Sequence, residues 1–181
     1  RGIWTDVKKA LKDGNFLLLC GVAGLMMGII LTMKALVGQI SFIYDYDLDQ
    51  AAEFGMLFIL GGILGSFIMG VFIAKYKNYK LCLQLLTCLT CLCLSMMYDH
   101  VRRKHQKAVA VWLFLLGVSL IPSIFISLDF AAEMTFPLNG TVSTGIIMIA
   151  GHFWSLIFTT ATTMLIDSQG IHGAQVSFQI M

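Results

Sequence analysis

Only a few of the 181 residues carry a group that could bind a solute or move a proton in an apolar setting. Lys34 is the one charge in the apolar stretch 16–39, and His152 interrupts the charge-free stretch 134–166. An ionisable group inside such a stretch is costly unless it faces protein or water, so both are candidate functional residues. Lys34 could attract an anionic group or pair with a carboxylate, or it could snorkel from the end of its segment.

His152 could hydrogen-bond a solute, relay a proton or contact a cation, or it could simply bond a facing helix. Trp154 points about 200° away from it on a helix, so at most one of the two faces a cavity. We expect that residue to be His152, because Trp154 is cheaper to place against lipid. The predicted substrate cavity therefore consists of Lys34, Gln39 and His152.

Two carboxylates, Asp129 and Glu133, stand four residues apart between two apolar stretches, followed by Thr135 and Pro137. Pro137 ends any continuing helix, because it lacks a backbone donor and clashes with the preceding turn. Nothing nearby supplies a nucleophile or a set of metal ligands. The pattern therefore favours a conformational gate at a helix end over acid–base catalysis.

Metal binding is the other chemistry that the sequence could offer. Cys88 and Cys91 have the spacing of a metal or redox pair, but no second pair exists and both lie in a charge-free stretch. Cysteines in such a setting behave as small apolar residues. His100 and His105 fall in a highly charged segment that is typical of a hydrated loop. We expect neither a metal site nor a cofactor.

Long apolar segments must position these residues, since 58% of the chain is hydrophobic and only 12% is charged. A helix needs about 20 apolar residues to cross the hydrocarbon core of a bilayer. Five such segments exclude an ordinary soluble enzyme, and the lack of a basic stripe excludes nucleic-acid binding. The sequence predicts an all-α membrane protein, a polytopic transmembrane helix bundle with spans at about 16–39, 52–74, 80–98, 108–128 and 141–166.

Three parts follow from this arrangement. Residues 1–14 are an interfacial or linker helix, residues 15–167 are a five-helix bundle, and residues 168–181 lead into a truncated sixth span. The first part has apolar residues at helical spacing on one face and lysines on the other, as interfacial helices do. Its apolar residues are Ile3, Trp4, Val7 and Leu11, and its lysines are Lys8, Lys9 and Lys12.

Small residues at spacings of four predict close helix packing in lipid. Gly24 and Gly28 form such a pair in the first span. In the second span Gly62, Ser66 and Gly70 form a row, with Gly61 and Gly65 on the adjacent row. Lys and Arg near the span ends number seven on the side of the N-terminus and four on the other, which favours a cytosolic N-terminus.

The stretch 129–137, Asp-Phe-Ala-Ala-Glu-Met-Thr-Phe-Pro, resembles a motif of one transporter family. The feline leukaemia virus subgroup C receptor-related carriers (solute carrier family 49 of the major facilitator superfamily) have Glu-Phe-Ala-Val-Glu-x-Thr-Tyr-Pro before their eleventh helix. Residues 60–70 and 77–80 resemble their eighth helix and its basic loop. Residues 16–39 resemble their seventh helix more loosely, and the likeness covers about 14–167.

The resemblance implies that the five spans are helices seven to eleven of a twelve-helix fold, so that the chain is its C-terminal half. The partners implied are the N-terminal six-helix half of the same chain, the lipid bilayer of the plasma membrane or an endomembrane, and a small-molecule substrate. Such carriers work by alternating access around a site at the bilayer midplane. The family is associated with choline, ethanolamine and haem, so a choline-like or ethanolamine-like solute or haem is the implied substrate.

This sequence departs from the family at three positions. Choline-type members hold the quaternary ammonium with an aromatic residue and a glutamine, where this chain has Leu31 and His152. An inner-gate Asp of the superfamily is replaced by Ala74. The alternative to a secondary transporter is a multi-span membrane protein that does not transport, such as a receptor or assembly subunit. An intramembrane enzyme is disfavoured, because the spans offer no paired catalytic groups.

Overall fold

Six helices account for nearly all of the residues that the structure, a computed structural model, describes: 3–43, 48–102, 105–137 and 140–169. No strand occurs in those ranges. The segment 170–181, which the sequence predicts to lead into a sixth span, lies outside the described residues. The helices are α1 (Ile3–Ala10), α2 (Gly14–Ile43), α3 (Leu48–Tyr76), α4 (Tyr79–Arg102), α5 (Gln106–Met134) and α6 (Gly140–Gln169).

Helices α2 to α6 are long and apolar enough to cross a membrane, which confirms the predicted all-α bundle of five spans. Each extends a few residues beyond the predicted span, because its polar ends continue the helix past the apolar stretch. Helix α4 continues through His100, so this residue belongs to a helix and not to a hydrated loop. The ring of His100 lies 6.0 Å from that of Trp112 on α5.

Helices α2 and α6 run parallel and pack through glycine. A Cβ atom added to Gly24 would lie 3.0 Å from the Cβ of Ala150, and one added to Gly28 would lie 2.7 Å from the Cβ of Trp154. Only glycine permits such an approach. Contacts advance in the same direction along both helices, so α2 and α6 begin at the same end of the bundle.

Helices α3 and α5 form a second parallel pair that runs the opposite way. Gly61 and Gly65 of α3 lie directly against the carbonyl oxygens of Phe114 and Val118, and Gly117 of α5 lies against that of Phe58. Of the row that the sequence singled out, Gly62, Ser66 and Gly70, the first residue also lies in this contact and the last does not. Gly62 lies against the side chain of Ile121, and its backbone nitrogen would lie 3.1 Å from a Cβ atom added to Gly117, whereas Gly70 has no atom of another segment within 4 Å. One added methyl group at Gly61 or Gly65 would collide with backbone.

Helix α4 lies antiparallel to α5, and hydroxyl groups join the two in the interior. Thr90 and Ser119 are both buried, and their side-chain oxygens are 3.0 Å apart. Each hydroxyl also bonds a carbonyl of its own helix, Thr90 to Leu86 and Ser119 to Leu116. Buried hydroxyls in a membrane bundle must be paired in this way, since lipid supplies no partners.

Helix α1 packs against α6 at the end of the bundle where α2 and α6 begin. Its buried residues are Asp6 and Ala10, whereas Trp4 is 80% exposed and Leu11 is also exposed. The sequence placed Trp4 and Leu11 on the apolar face, with the lysines opposite. Among the side chains of α1 that the structure describes, the buried ones on the bundle side are those of Asp6 and Ala10, with Val7 half-buried. Trp4 and Leu11 therefore share the outer surface with the lysines.

Candidate functional site

His152 lies on the outer side of α6, in the middle of the bundle's depth. It is 12 residues beyond Gly140, which places it about 18 Å along the helix axis. Its Nδ1 is 2.8 Å from the carbonyl oxygen of Met148, one turn earlier. A carbonyl can only accept, so this contact requires a hydrogen on Nδ1. The Nε2 atom of the neutral ring is then an acceptor that points away from its own backbone.

The opposite face of α6 is occupied by Trp154. Its ring stacks on that of Phe158 at a centroid distance of 5.7 Å, and its Cβ approaches Gly28 of α2. His152 and Trp154 therefore point to different sides, as the helical geometry predicts. The reason differs from the one expected, because Trp154 is packed against protein and not against lipid. His152 is exposed on a face with apolar neighbours such as Ile149 and Phe153.

Lys34 and His152 are not at the same depth. Lys34 follows Thr32, whose hydroxyl accepts from Thr159 at 3.3 Å and donates to the carbonyl of Ser155 at 3.4 Å. Two residues beyond Thr32, Lys34 lies at about the level of residues 159–160, roughly 10–12 Å further along α6 than His152. Its side chain is exposed, whereas Thr32 is buried on the side of α6.

Gln39 lies a further five residues along α2, about 8 Å nearer the far end. Its side chain lies outside the described part of the structure, so its place in a cavity stays a prediction. His152 accordingly lies near the middle of the bundle, and Lys34 lies closer to the end where α2 and α6 terminate. The described structure brings neither residue into contact with the other.

The predicted gate residues gather at the end where α4 begins and α5 ends. The hydroxyl of Tyr79, the first residue of α4, donates to Oε1 of Glu133 at 3.0 Å. The Tyr79 ring also stacks on Phe130 with centroids 5.7 Å apart and planes 13° apart. Asp129 is exposed one turn earlier on α5. Tyr79 was missed in the sequence, because its pairing depends on the register between two antiparallel helices.

Thr135 closes the end of α5 and joins it to α6. Its hydroxyl donates to the carbonyl of Ala131 at 2.8 Å, so the hydroxyl of Ser143, 2.6 Å away, must be the donor to Thr135. Both residues are buried. Pro137 is exposed in the turn that follows, and the peptide bond between Phe136 and Pro137 is cis. Thr135 of the predicted gate therefore belongs to a hydrogen-bonded corner between α5 and α6.

A separate groove of about 890 Å³ opens between α2, α4 and α5. None of the predicted cavity or gate residues lines it. Its walls are mainly apolar, with a few polar groups at the end that carries Tyr79. The polar residues lining it are Asn15, Lys80, Gln84 and Thr87.

No group of three or more His, Cys, Asp or Glu side chains that could hold a metal ion occurs among the described residues. All five cysteines are free thiols, with Cys88 and Cys91 exposed on α4.

Comparison with known proteins finds proteins named as transporters among those similar to this chain. No family model matches it. It is 24% identical over 167 residues to a human protein named choline/ethanolamine transporter FLVCR2, covering 91% of this chain and 32% of that protein. It is 28% identical over 145 residues to solute carrier family 49 member A3 of Xenopus tropicalis, covering 78% and 29%. A Caenorhabditis elegans MFS-type transporter is 20% identical over 157 residues, covering 86% and 27%.

This chain spans about a third of the length of the curated relatives that it matches. The relatives' names and the five apolar helices agree with the resemblance to solute carrier family 49 and the major facilitator superfamily. The chain is an integral, multi-pass membrane protein, homologous to proteins named as transporters.

Proposed function

We propose that this chain, a homologue of solute carrier family 49 proteins, is the C-terminal half of a twelve-helix secondary transporter. The carrier would move a small organic solute by alternating access, without chemistry on the solute and without a cofactor. The bundle of residues 15–167 would rock against an N-terminal six-helix half of the same chain. The names of the relatives, choline/ethanolamine transporter among them, favour a transporter over a receptor or assembly subunit.

The observation that carries the proposal is the setting of His152. A polar ring stands exposed at about mid-depth on a helix whose neighbouring exposed residues are apolar. Facing lipid, an imidazole would lose hydrogen bonds that nothing replaces. Facing a second half-bundle across a wet cavity, the same ring lies at the depth where carriers of this kind bind substrate.

The orientation of the His152 ring determines what it can offer a solute. With its Nδ1 hydrogen directed to Met148, the free Nε2 accepts a hydrogen bond from a hydroxyl or an ammonium group. Ethanolamine carries both groups, and choline carries the hydroxyl. Leu31, half-buried on α2, offers no aromatic face for a quaternary ammonium. The residues therefore favour an ethanolamine-like solute over choline, with haem as the further candidate from the family resemblance.

Lys34 and Gln39 would line the outer part of the path, and Asp129, Glu133, Thr135 and Pro137 would form the cytosolic gate. The corner formed by Thr135 and Ser143 ties the end of α5 to the start of α6. A movement of α5 would consequently be transmitted to the helix that carries His152. This is the coupling between gate and site that alternating access requires.

Uptake by the full-length protein tests the proposal. Radiolabelled ethanolamine, choline and haem would be offered separately to cells expressing the parent protein, His152→Ala or His105→Ala. His105 is the matched control, because it is an exposed histidine at the start of α5. We expect transport of at least one solute, lowered at least tenfold by His152→Ala and unchanged by His105→Ala, at equal surface abundance. Absence of transport of all three would favour the non-transporting alternative.

A further inference from the structure

The outer face of α1 combines large apolar side chains with lysines. Trp4 is 80% exposed and Leu11 is 44% exposed. Lys8 and Lys12 are exposed next to them, since positions 4, 8, 11 and 12 fall on one side of a helix. The amide of Leu11 bonds the carbonyl of Val7, which continues the helical geometry to this residue.

This outer face carries no compensating negative charge. Asp6 is the only acidic residue between positions 1 and 12, and it is 7% exposed on the side that packs against the bundle. The Asp13 carboxylate accepts from the backbone amide of Asn15 at the start of α2. The lysines of α1 therefore make this outer face positively charged.

The position of α1 along the bundle places it at the level of the lipid headgroups. Only three residues separate it from α2, whose first turns already carry the exposed apolar side chains of Leu17 and Leu18. Its contact with the beginning of α6 keeps it at the same level. A helix held there lies close to the surface that phospholipid headgroups form.

The bundle alone holds α1 weakly. A helix of eight residues is marginal in isolation, so its stability must come from packing. On its packed side, one carboxylate oxygen of Asp6 is buried without a hydrogen-bond partner, which is unfavourable. Much of the stabilisation must therefore come from the other side of the helix.

We propose that the outer face of α1, formed by Trp4, Lys8, Leu11 and Lys12 with Lys9 at its edge, docks on anionic phospholipid. Trp4 and Leu11 enter the interface, and the lysines bind headgroup phosphates. A neutral lipid surface would satisfy the apolar residues but leave the lysines without counter-charge. Because α1 also contacts α6, anionic lipid fixes the start of the helix that bears His152.

The test measures the environment of Trp4 in the full-length protein reconstituted into vesicles. The Trp4 signal is the difference in fluorescence between the parent protein and Trp4→Phe. Vesicles contain 20% of either brominated phosphatidylglycerol or brominated phosphatidylcholine, in a phosphatidylcholine background. Each lysine near an anionic surface strengthens binding by about fivefold, so we expect the brominated anionic lipid to quench Trp4 at least about threefold more strongly.

Lys8→Gln/Lys12→Gln should make quenching by the two lipids equal. The matched control is Lys75→Gln/Lys80→Gln, which removes two exposed lysines at the same end of the bundle and should preserve the difference. One molar salt should also reduce the difference, because it shortens the Debye length to about 3 Å. Equal quenching by both lipids in the parent protein, or no quenching by either, would overturn the proposal whether or not the protein transports a solute.

Discussion

The phenol of Tyr79 and the carboxylate of Glu133 join the beginning of α4 to the end of α5 through a hydrogen bond of 3.0 Å. The partners are 54 residues apart in sequence and meet because the two helices are antiparallel. The same register brings Thr90 to Ser119 in the interior and His100 to Trp112 at the far end. The proposed gate thus lies at one end of the α4–α5 helix pair, which is joined by side-chain contacts at three depths in the bundle.

We predict that Tyr79→Phe weakens this end of the bundle without unfolding it. The substitution removes the donor but retains the ring that stacks on Phe130. Because both partners are near the surface, the loss of stability should be small, about 0.5–1 kcal/mol. Thermal unfolding of the purified protein in detergent would measure it.

A double-mutant cycle separates the hydrogen bond from the stacking. Glu133→Ala, Tyr79→Phe and the double variant should be non-additive in stability, since each of the three removes the same hydrogen bond. If the bond helps to close the gate, each single variant should also change the rate of solute uptake. Additive effects in the cycle would show that the two side chains act independently.

We predict that Gly65→Ala destabilises the bundle strongly, because its new Cβ would collide with the carbonyl of Val118. Backbone cannot rotate aside as a side chain can, so a cost of about 1–3 kcal/mol or more is expected. Gly70→Ala is the matched control, on the same helix with open space around it. The yield and unfolding temperature in detergent should fall for the first variant and not for the second.

The two glycine rows of α3 show what could be predicted from the sequence. Spacing of small residues indicated that α3 packs closely against another helix, because lipid-embedded helices associate through such surfaces. Which row makes the contact depends on how α3 is rotated about its axis. That rotation depends on the partner helix, where Gly117 of α5 admits the backbone of Phe58, and it is not encoded within α3.

The spans were predictable because length and apolar composition alone decide whether a helix crosses lipid. The depth of Lys34 relative to His152 was not, since it depends on the parallel register of α2 and α6. The sequence grouped Lys34, Gln39 and His152 as one cavity. The register separates Lys34 from His152 by roughly 10–12 Å along the helix axis, so these two would act at different stages of a solute's path.

We predict that Thr135→Val loosens the corner between α5 and α6. The variant keeps the shape of the side chain but loses the donor to Ala131 and leaves the Ser143 hydroxyl without its acceptor. Interhelical hydroxyl bonds in membranes contribute about 0.6 kcal/mol on average, so folding should survive. Thr144→Val is the control, because the Thr144 hydroxyl bonds only carbonyls of its own helix. Uptake should fall for Thr135→Val at unchanged abundance, and equal uptake by both variants would show that the corner has no part in gating.

We predict that His152→Gln supports transport, in contrast to His152→Ala. A glutamine at this position retains an acceptor near the place of the imidazole Nε2, and the family resemblance implies a glutamine here in choline-type members. Uptake of ethanolamine should remain within about threefold of the parent protein, since the hydrogen bond from a charged ammonium contributes about 1.5–3 kcal/mol and a similar acceptor replaces the imidazole. Choline uptake should rise relative to ethanolamine uptake, because the wider reach of the glutamine amide suits the bulkier headgroup. Competition between the two unlabelled solutes for uptake of a labelled one would measure the ratio. A loss as large as that of His152→Ala, with normal surface abundance, would mean that the imidazole itself is needed and that proton transfer has to be considered.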